Sequence, residues 1–378
     1  NSSSITGGII PIYNSNCHLE NTKFLVAEVD ESDGTLNKYK SEIGIINNID
    51  FDHCDHFSNL HEVISSFKDF AANSKKLLLN FDCKNTKNNF FSDSQWSNTT
   101  TENVTYAIIP TEIHESHTVG KYYENGHFIS ILNVPIPGLH NLSNITAAIA
   151  ASRMIGVNFM KIKKNIKYLK LPKKRFEFRG QIHQRYLYDD YAHHPNEIKE
   201  TIKLGRLFIK EDCNNEFKKS RLIVIFQPHR YSRVKQFAEE FAEELSKADV
   251  IYVTTIYGAG EGNKDKINSK IITDLIYKQN KNVSYINNYH EITKNFYELT
   301  QKGDLILNMG AGERNEDKIT SKIITDLIYK KNKNVSYINN YYEVTKNFYE
   351  LTQKGDLILN MGAGDCHNLW SILNEKNN

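Results

Sequence analysis

Four short strings in this chain gather side chains that do chemistry, and each follows an apolar run. The first, DESDGT after FLVAEV, brings Glu28, Asp30, Glu31 and Asp33 into quick succession. Carboxylates are the hard oxygen donors that Mg²⁺ prefers, and α/β folds hold ligands at the C-terminal edge of a parallel sheet. The second, NNIDFDHCDH, places Asp52 and His53 after another apolar run. The third, DDYAHHPNE, packs Asp189, Asp190, Tyr191, His193 and His194 between a strand and a helix whose first turn holds Pro195. Titratable groups this dense at a strand end read as a site more than as a surface. The fourth, QPHRYSR, adds His229, Arg230 and Arg233. Guanidinium groups match planar carboxylate or phosphate partners, and Arg at a helix start opposes the helix dipole, which favours a ligand there. TTIYGAGE follows at the next strand end, where Glu261 joins the site or caps a helix.

Plainer readings stand beside these. DESDGT alone is equally a solvated acidic turn, a lone His53 a structural histidine, and the two arginines a solvated helix start. NVPIPGLHNLSNITAAIAA is a Pro-Gly turn opening a helix, for which Asn141 suffices as a cap. The cap does not explain His140 beside it, and the polar pair His140-Asn141 suits a nucleobase edge. A phosphate-cradling G-x-x-x-x-G-K-[ST] loop is absent from the 378 residues; Gly120-Lys121 is followed by Tyr122 and does not fit.

These residues need strands and helices to aim them. The pattern predicts strands at Lys23–Asp30, Ile43–Asp50, Lys76–Asp82, Val104–Pro110 and His127–Val134, with a helix over Asn59–Ala72. Near-continuous Val/Ile/Leu runs with intervening helices indicate a mostly parallel sheet covered on both faces. Adjacent parallel strands would then bring Glu28 and His53 to one edge. Lys84–Glu102 is polar and reads as a surface excursion, Asn141–Ile155 as a helix, and Leu169–Gly180 as a linker. The second half repeats the rhythm, with strands at Tyr186–Tyr191, Leu222–Gln227 and Asp249–Thr255 and helices at Pro195–Ile209 and Arg233–Lys247. The fold class is α/β: a mostly parallel sheet domain over 1–170, then a doubly wound, Rossmann-like domain over 173–378.

A tandem repeat interrupts the second unit. Asp265–Gly312 and Asp317–Gly364 match at an offset of 52 residues, differing only at Asn268/Thr320, Gln279/Lys331, His290/Tyr342 and Ile292/Val344. Two near-identical copies after an unrepeated region indicate a recent duplication or a sequence-assembly error rather than a solenoid. Each copy reads as helix, strand, helix, strand, and one of them is expected to hold the native position.

Composition narrows the function classes. The net charge of +2 balances 47 basic against 45 acidic residues, without the clustered basic excess of a nucleic-acid binder. Five widely spaced cysteines lack any C-x-x-C pair, which argues for reduced thiols and a cytoplasmic setting. No apolar run approaches the ~20 residues of a membrane span, and the N-terminus carries no signal pattern.

In order and spacing, DESDGT, DDYAHHPNE, QPHRYSR and YGAGE resemble the Mur ligase superfamily, across nearly the whole chain from Gly7-Gly8 to Leu369–Leu373. The resemblance is nearest to the members that add L-alanine to UDP-N-acetylmuramate. The murein-tripeptide recycling ligases share the DD-x-AHHP region, and QPHRYSR favours the alanine-adding branch. The resemblance implies a UDP-binding domain, a central ATPase domain and a Rossmann-like amino-acid domain. It also implies ATP and Mg²⁺, an acyl phosphate of the muramoyl carboxylate, and attack by the L-alanine amine in peptidoglycan precursor synthesis. By matching positions, Glu28 and His53 are Mg²⁺ ligands. His140 and Asn141 contact nucleotide, with Tyr191 beside the adenine. His193, Arg230 and Arg233 hold L-alanine and the muramoyl end, and Asp189 and Asp190 organise the site. The family's G-T-H-G-K-T loop and its UDP-binding domain would precede residue 1. The chain as given is therefore expected to be an incomplete enzyme, or else an inactive remnant.

Overall fold

The computed structural model describes residues 2–182, 184–211, 220–287, 291–292 and 295–311. The chain divides into two compact units, one of Asn1–Asn287 with Thr300–Gly312 and one of Asn288–Leu299 with Glu313–Asn378. The described part of the smaller unit includes one short helix, Phe296–Leu299. The second repeat copy lies outside the described residues.

The larger unit carries three sheets. The first is small, with β1 (Ser3–Ile10) between β2 (Ser15–His18) and β3 (Leu25–Ala27). The second runs β4 (Ser41–Ile46), β5 (Ser74–Asn80), β6 (Gln95–Ser97), β7 (Tyr106–Ile113), β8 (Thr118–Glu124) and β9 (His127–Val134), in that spatial order. From β4 to β7 the pairs are parallel, and β7, β8 and β9 continue as an antiparallel meander. Helix α1 (Leu60–Ala72) links β4 to β5, and α2 (Lys84–Asn89) links β5 to β6. Asn59 caps α1 by accepting the Glu62 amide, while Glu62 reaches back to the Ser58 amide, a reciprocal cap that fixes the helix start.

Helix α3 (Leu139–Met154) packs its small-residue face into the apolar core around Trp96, Ile108 and Leu132. It is followed by the short helix α4 (Phe159–Asn165).

The third sheet has the order β10 (Glu177–Ile182), β11 (Arg185–Asp190), β15 (Leu305–Met309), β12 (Leu222–Phe226), β13 (Val250–Thr254) and β14 (Val283–Ile286). All its pairs are parallel except β10 with β11. Helices α5 (Pro195–Glu211), α6 (Tyr231–Leu245) and α7 (Lys270–Gln279) supply the crossovers. Every residue of β12 and β15 is buried, as continuous apolar strands in the middle of a covered parallel sheet must be.

The α/β class and the mostly parallel sheets agree with the sequence reading; four local expectations do not. The strand at Lys23–Asp30 shrinks to Leu25–Ala27 and pairs with β1, with Leu25 and Val26 57% and 56% exposed. It is not a neighbour of β4, so Glu28 and His53 are not brought together by adjacent strands. β3 pairs with β1 alone and lies at the edge of the small sheet. Lys84–Glu102 is not a surface excursion, because it contains α2 and β6 and its Trp96 is completely buried. Leu169–Gly180 is a linker only in its first half, since β10 begins at Glu177. The strand β8 was hidden in a Gly-Lys-Tyr-Tyr stretch with weak alternation.

The first repeat copy supplies α7, β14, the helix Phe296–Leu299 and β15, in the predicted order. Its β15 enters the centre of the sheet, between β11 and β12.

Candidate active site

The C-terminal ends of β11 and β12 stand in one sheet with β15 between them, so DDYAHHP and QPHRYSR emerge on the same edge. His194 precedes α5, and Glu197 in its first turn accepts the backbone amides of both His193 (3.0 Å) and His194 (3.2 Å). Two otherwise orphaned helix-start donors are thereby satisfied. The same carboxylate lies 3.2 Å from His193 Nδ1 and pairs with Arg175 at 3.3 Å. His193 Nδ1 is also 2.9 Å from the Tyr191 carbonyl oxygen. A carbonyl only accepts, so Nδ1 carries the proton and Nε2 is left as an acceptor.

At the neighbouring strand end, Arg233 is only 3% exposed. Its guanidinium grips Asp52, Nε and NH2 to Oδ1 at 3.0 and 2.8 Å and NH2 to Oδ2 at 3.0 Å. Its NH1 donates to His229 Nδ1 at 2.9 Å. Because Arg only donates, His229 accepts at Nδ1 and its proton sits on Nε2. The His193 and His229 rings meet edge to face, with centroids 5.5 Å apart and planes at 64°. One imidazole therefore offers a lone pair and the other an N–H within the same small space.

Arg230 takes the N-cap position of α6 at φ 65, a backbone state that costs a non-glycine residue about 1–3 kcal/mol and tends to be kept at functional sites. It pairs with Asp55 and lies 3.9 Å from Glu261. Glu261 binds the hydroxyl of Ser232 (2.6 Å) and its amide (3.1 Å), so it caps α6 and also flanks Arg230. The string NNIDFDHCDH thus contributes more than His53: Asp52 and Asp55 engage the arginines, and the Phe51 carbonyl receives His194 Nε2 at 3.2 Å.

Charge and burial set the protonation of this cluster. Burial pushes the Asp52 carboxyl up, but Arg233, His53 and His194 outweigh it and hold it below the usual carboxylate range. Burial holds His193 down against the pull of Glu197. His229 is pushed down to about 3, by burial first and then by His193, Arg233 and Arg230. Both imidazoles are neutral at physiological pH.

The remaining candidates have more local partners. Asp190 is buried and accepts the amides of Phe176 (2.7 Å) and Ala192 (2.8 Å), and burial raises its pKa. Asp189 lies 3.2 Å from Arg179 Nε and receives Asn308 Nδ2 at 3.1 Å. Both carboxylates tie β11 to its surroundings. Tyr191 lies edge-on to His193 and under the Arg175 guanidinium. Asn141 is buried in the first turn of α3, and its Nδ2 donates back to the Pro137 carbonyl at 2.8 Å. His140 faces Glu200 of α5 at 3.8 Å.

Glu28 accepts the Gly7 amide at 2.7 Å, whereas His53 lies 3.6 Å from Glu31. Among the described residues no three His, Cys, Asp or Glu side chains converge as a metal cage. Yet His53 Nδ1 is buried with no hydrogen-bond partner. Mg²⁺ takes few protein ligands and completes its shell with phosphate oxygens and water, so a sparse donor set with one unsatisfied ring nitrogen fits a shared ion.

Residues 12–152 match the Mur ligase middle domain, and residues 174–312 match the Mur ligase glutamate ligase domain. A UDP-N-acetylmuramate–L-alanine ligase of Prochlorococcus marinus subsp. pastoris is 58% identical over 377 residues, covering 100% of this chain and 69% of that protein. The chain belongs to the Mur ligase family. Among solved Mur ligases, the UDP-N-acetylmuramate–alanine ligase of Thermotoga maritima aligns with a TM-score of 0.70 at 22% identity, over 87% of this chain and 69% of that one. The MurF ligase of Thermotoga maritima, solved in complex with ADP, aligns with a TM-score of 0.63 at 16% identity, over 86% and 74%. Both carry the same fold. Within this Mur ligase chain no helix among the described residues is long and apolar enough to cross a membrane.

The sequence reading missed Arg175 and Glu197 as members of the site and underrated Asp52 and Asp55. Glu197 carried a signal, an acidic residue three positions after the N-cap. Arg175 carried only the crowded string KKRFEF, where Lys174 and Phe176 both have positive φ.

Proposed function

We propose that this Mur ligase ligates L-alanine to UDP-N-acetylmuramate, using ATP, in peptidoglycan precursor synthesis. The observation that carries the reading is the edge-to-face pair His193 and His229, whose opposite hydrogen-bonding characters suit an amino acid. The 58% identical relative supports the substrates, and the ADP-bound structural relative supports the nucleotide.

His193 Nε2 accepts a hydrogen bond from the L-alanine amine, which positions the nitrogen for attack. The His229 Nε2–H and the Arg230 guanidinium receive the alanine carboxylate, a planar partner suited to a cationic fork. The amine then attacks the muramoyl carbonyl of the acyl phosphate, the C–N bond forms, and inorganic phosphate leaves. Arg233, neutralised by Asp52, holds His229 in the required tautomer; it is a positioning residue for that ring. Asp189 and Asp190 fix the end of β11 beneath His193. Glu28 and His53 would hold Mg²⁺, which when bound neutralises charge on the transferring phosphoryl group. His140, Asn141 and Tyr191 would flank the nucleotide. The division into a nucleotide half (1–170) and an amino-acid half (173–378) belongs to the same proposal. In its support, β4–β9 come wholly from the first half and β10–β15 wholly from the second.

The test is product formation by the full gene product, followed by mass spectrometry with ADP release measured in parallel. The reading expects UDP-N-acetylmuramoyl-L-alanine and ADP in equal amounts. Preference for a tripeptide over L-alanine, or nucleotide hydrolysis without amide, would overturn it.

A further inference from the structure

The place between β11 and β12 accepts a strand, and the chain carries that occupant's sequence twice. In the structure the occupant is Leu305–Met309, paired on one side to Tyr186–Asp190 and on the other to Leu222–Phe226. Fifty-two positions later the chain repeats the string as Leu357–Met361, without a change.

We propose that either repeat copy can complete this sheet, so that the chain has two alternative registers differing by the 52-residue period. The contacts that seat the first copy depend on residues that the second copy duplicates. Asp304 pairs with Arg221 at 2.7 Å and recurs as Asp356. Thr300 takes Arg185 Nε on its hydroxyl at 2.6 Å and recurs as Thr352. Asn308 reaches Asp189 and recurs as Asn360. Ser269 binds the Thr254 carbonyl at 2.6 Å and recurs as Ser321. Asp265 pairs with Lys235 at 2.6 Å and recurs as Asp317.

Of the four differences, His290/Tyr342 lies outside the described residues, and the other three are mild. Asn268 accepts the Lys270 amide, and Thr320 carries a side-chain oxygen able to do the same. Gln279 accepts the Ser246 hydroxyl at 3.2 Å on the surface, a bond that Lys331 cannot make. Ile292 is buried, and Val344 is one methylene smaller. These changes favour the first copy without excluding the second. The 52 surplus residues trail after β15 in one register and form an internal excursion after β13 in the other. Loop-closure entropy grows only logarithmically with length, so a long excursion is tolerated. The acceptor is central, with both edges already paired, so the two copies cannot occupy it together.

Leu307 is fully buried in the middle of β15, and Leu359 is its counterpart. An uncompensated carboxylate at that position is incompatible with the packed sheet. The experiment uses the full chain with Leu307→Asp, Leu359→Asp and both together, read by thermal unfolding in circular dichroism and by size-exclusion chromatography. The proposal expects each single variant to keep a cooperative transition within a few degrees of the parent and to elute as the parent does. The double variant is expected to lose the transition. Loss of folding in Leu307→Asp alone, or a folded double variant, would overturn the proposal. So would rescue of Leu307→Asp only in a higher oligomer, because exchange would then be between chains.

Discussion

Two strand ends in this molecule carry dense titratable motifs, and the fold treats them in opposite ways. DDYAHHPNE leaves a fully paired strand, and its side chains lie within a buried network that ties Asp190 to Phe176 and Ala192 and sets His193 against Glu197. DESDGT follows a three-residue strand whose apolar side chains face solvent, and Glu28 accepts the Gly7 amide and feels the Arg175 charge. Chemistry-bearing residue types were visible at both ends. What differs is the framework: a central strand with two neighbours orients its terminal side chains, whereas a short edge strand leaves them to local turns.

The strongest way to break this contrast is to remove the group that binds the DDYAHHP and QPHRYSR edge to Asp52 in NNIDFDHCDH. Arg233→Ala leaves Asp52 with its bidentate partner gone, and breaking such a buried pair costs about 3–5 kcal/mol. Urea unfolding should report that loss, together with a collapse of alanine-dependent turnover; a loss under 1 kcal/mol would mean the pair is not structural. Arg233→Lys should recover only part of it, since an ammonium cannot reproduce the fork.

Acid should come next. The unfolded His229 titrates near 6.5 and the folded one at about 3. Between those values the unfolded chain takes up a proton that the folded one refuses, so stability is full above pH 6.5 and falls as pH drops towards 3. With solvent screening allowed for, the loss by pH 4 is on the order of 2 kcal/mol. His193 shifts in the same direction. Asp52, held below its ordinary value, keeps its contribution down to pH below 3.8, so it does not produce this limb. Urea midpoints from pH 7.5 to 4 in the parent and in His229→Gln check the assignment: the slope should flatten in the variant.

How much of this was legible follows the same division. The alternation of β11–β15 with α5–α7 was readable because buried parallel strands are nearly pure Val/Ile/Leu runs, and helices with one apolar stripe separate them. His193, Arg230 and Arg233 were readable because titratable side chains clustered at predicted strand ends. Asp52 and Asp55 as partners of Arg233 and Arg230 were not, since pairing across 181 and 175 residues leaves no local pattern. The Asn141 Nδ2 bond to the Pro137 carbonyl is another contact the residue types did not announce. The exposed short β3 was misjudged because periodicity reports apolar content, and pairing partners decide burial.

Smaller perturbations sharpen the comparison. Glu197→Ala removes the acceptor of two helix-start amides and the neighbour of His193. It should cost about 1 kcal/mol in stability and raise KM for L-alanine more than it lowers kcat, with Glu197→Gln recovering stability but not KM. At the other strand end, Val26→Thr should change the urea midpoint by less than about 0.5 kcal/mol, as an exposed position does. A large loss there would show that the small sheet is covered in solution.

The most direct test of the central claim is side-chain imidazole NMR of His193 and His229, with UDP-N-acetylmuramate and a non-hydrolysable ATP analogue present. On addition of L-alanine, both rings should shift, His193 as Nδ1-protonated and His229 as Nε2-protonated tautomers, and D-alanine should leave them unmoved. Saturable L-alanine binding that leaves both rings unchanged, or the opposite tautomers, would contradict the account.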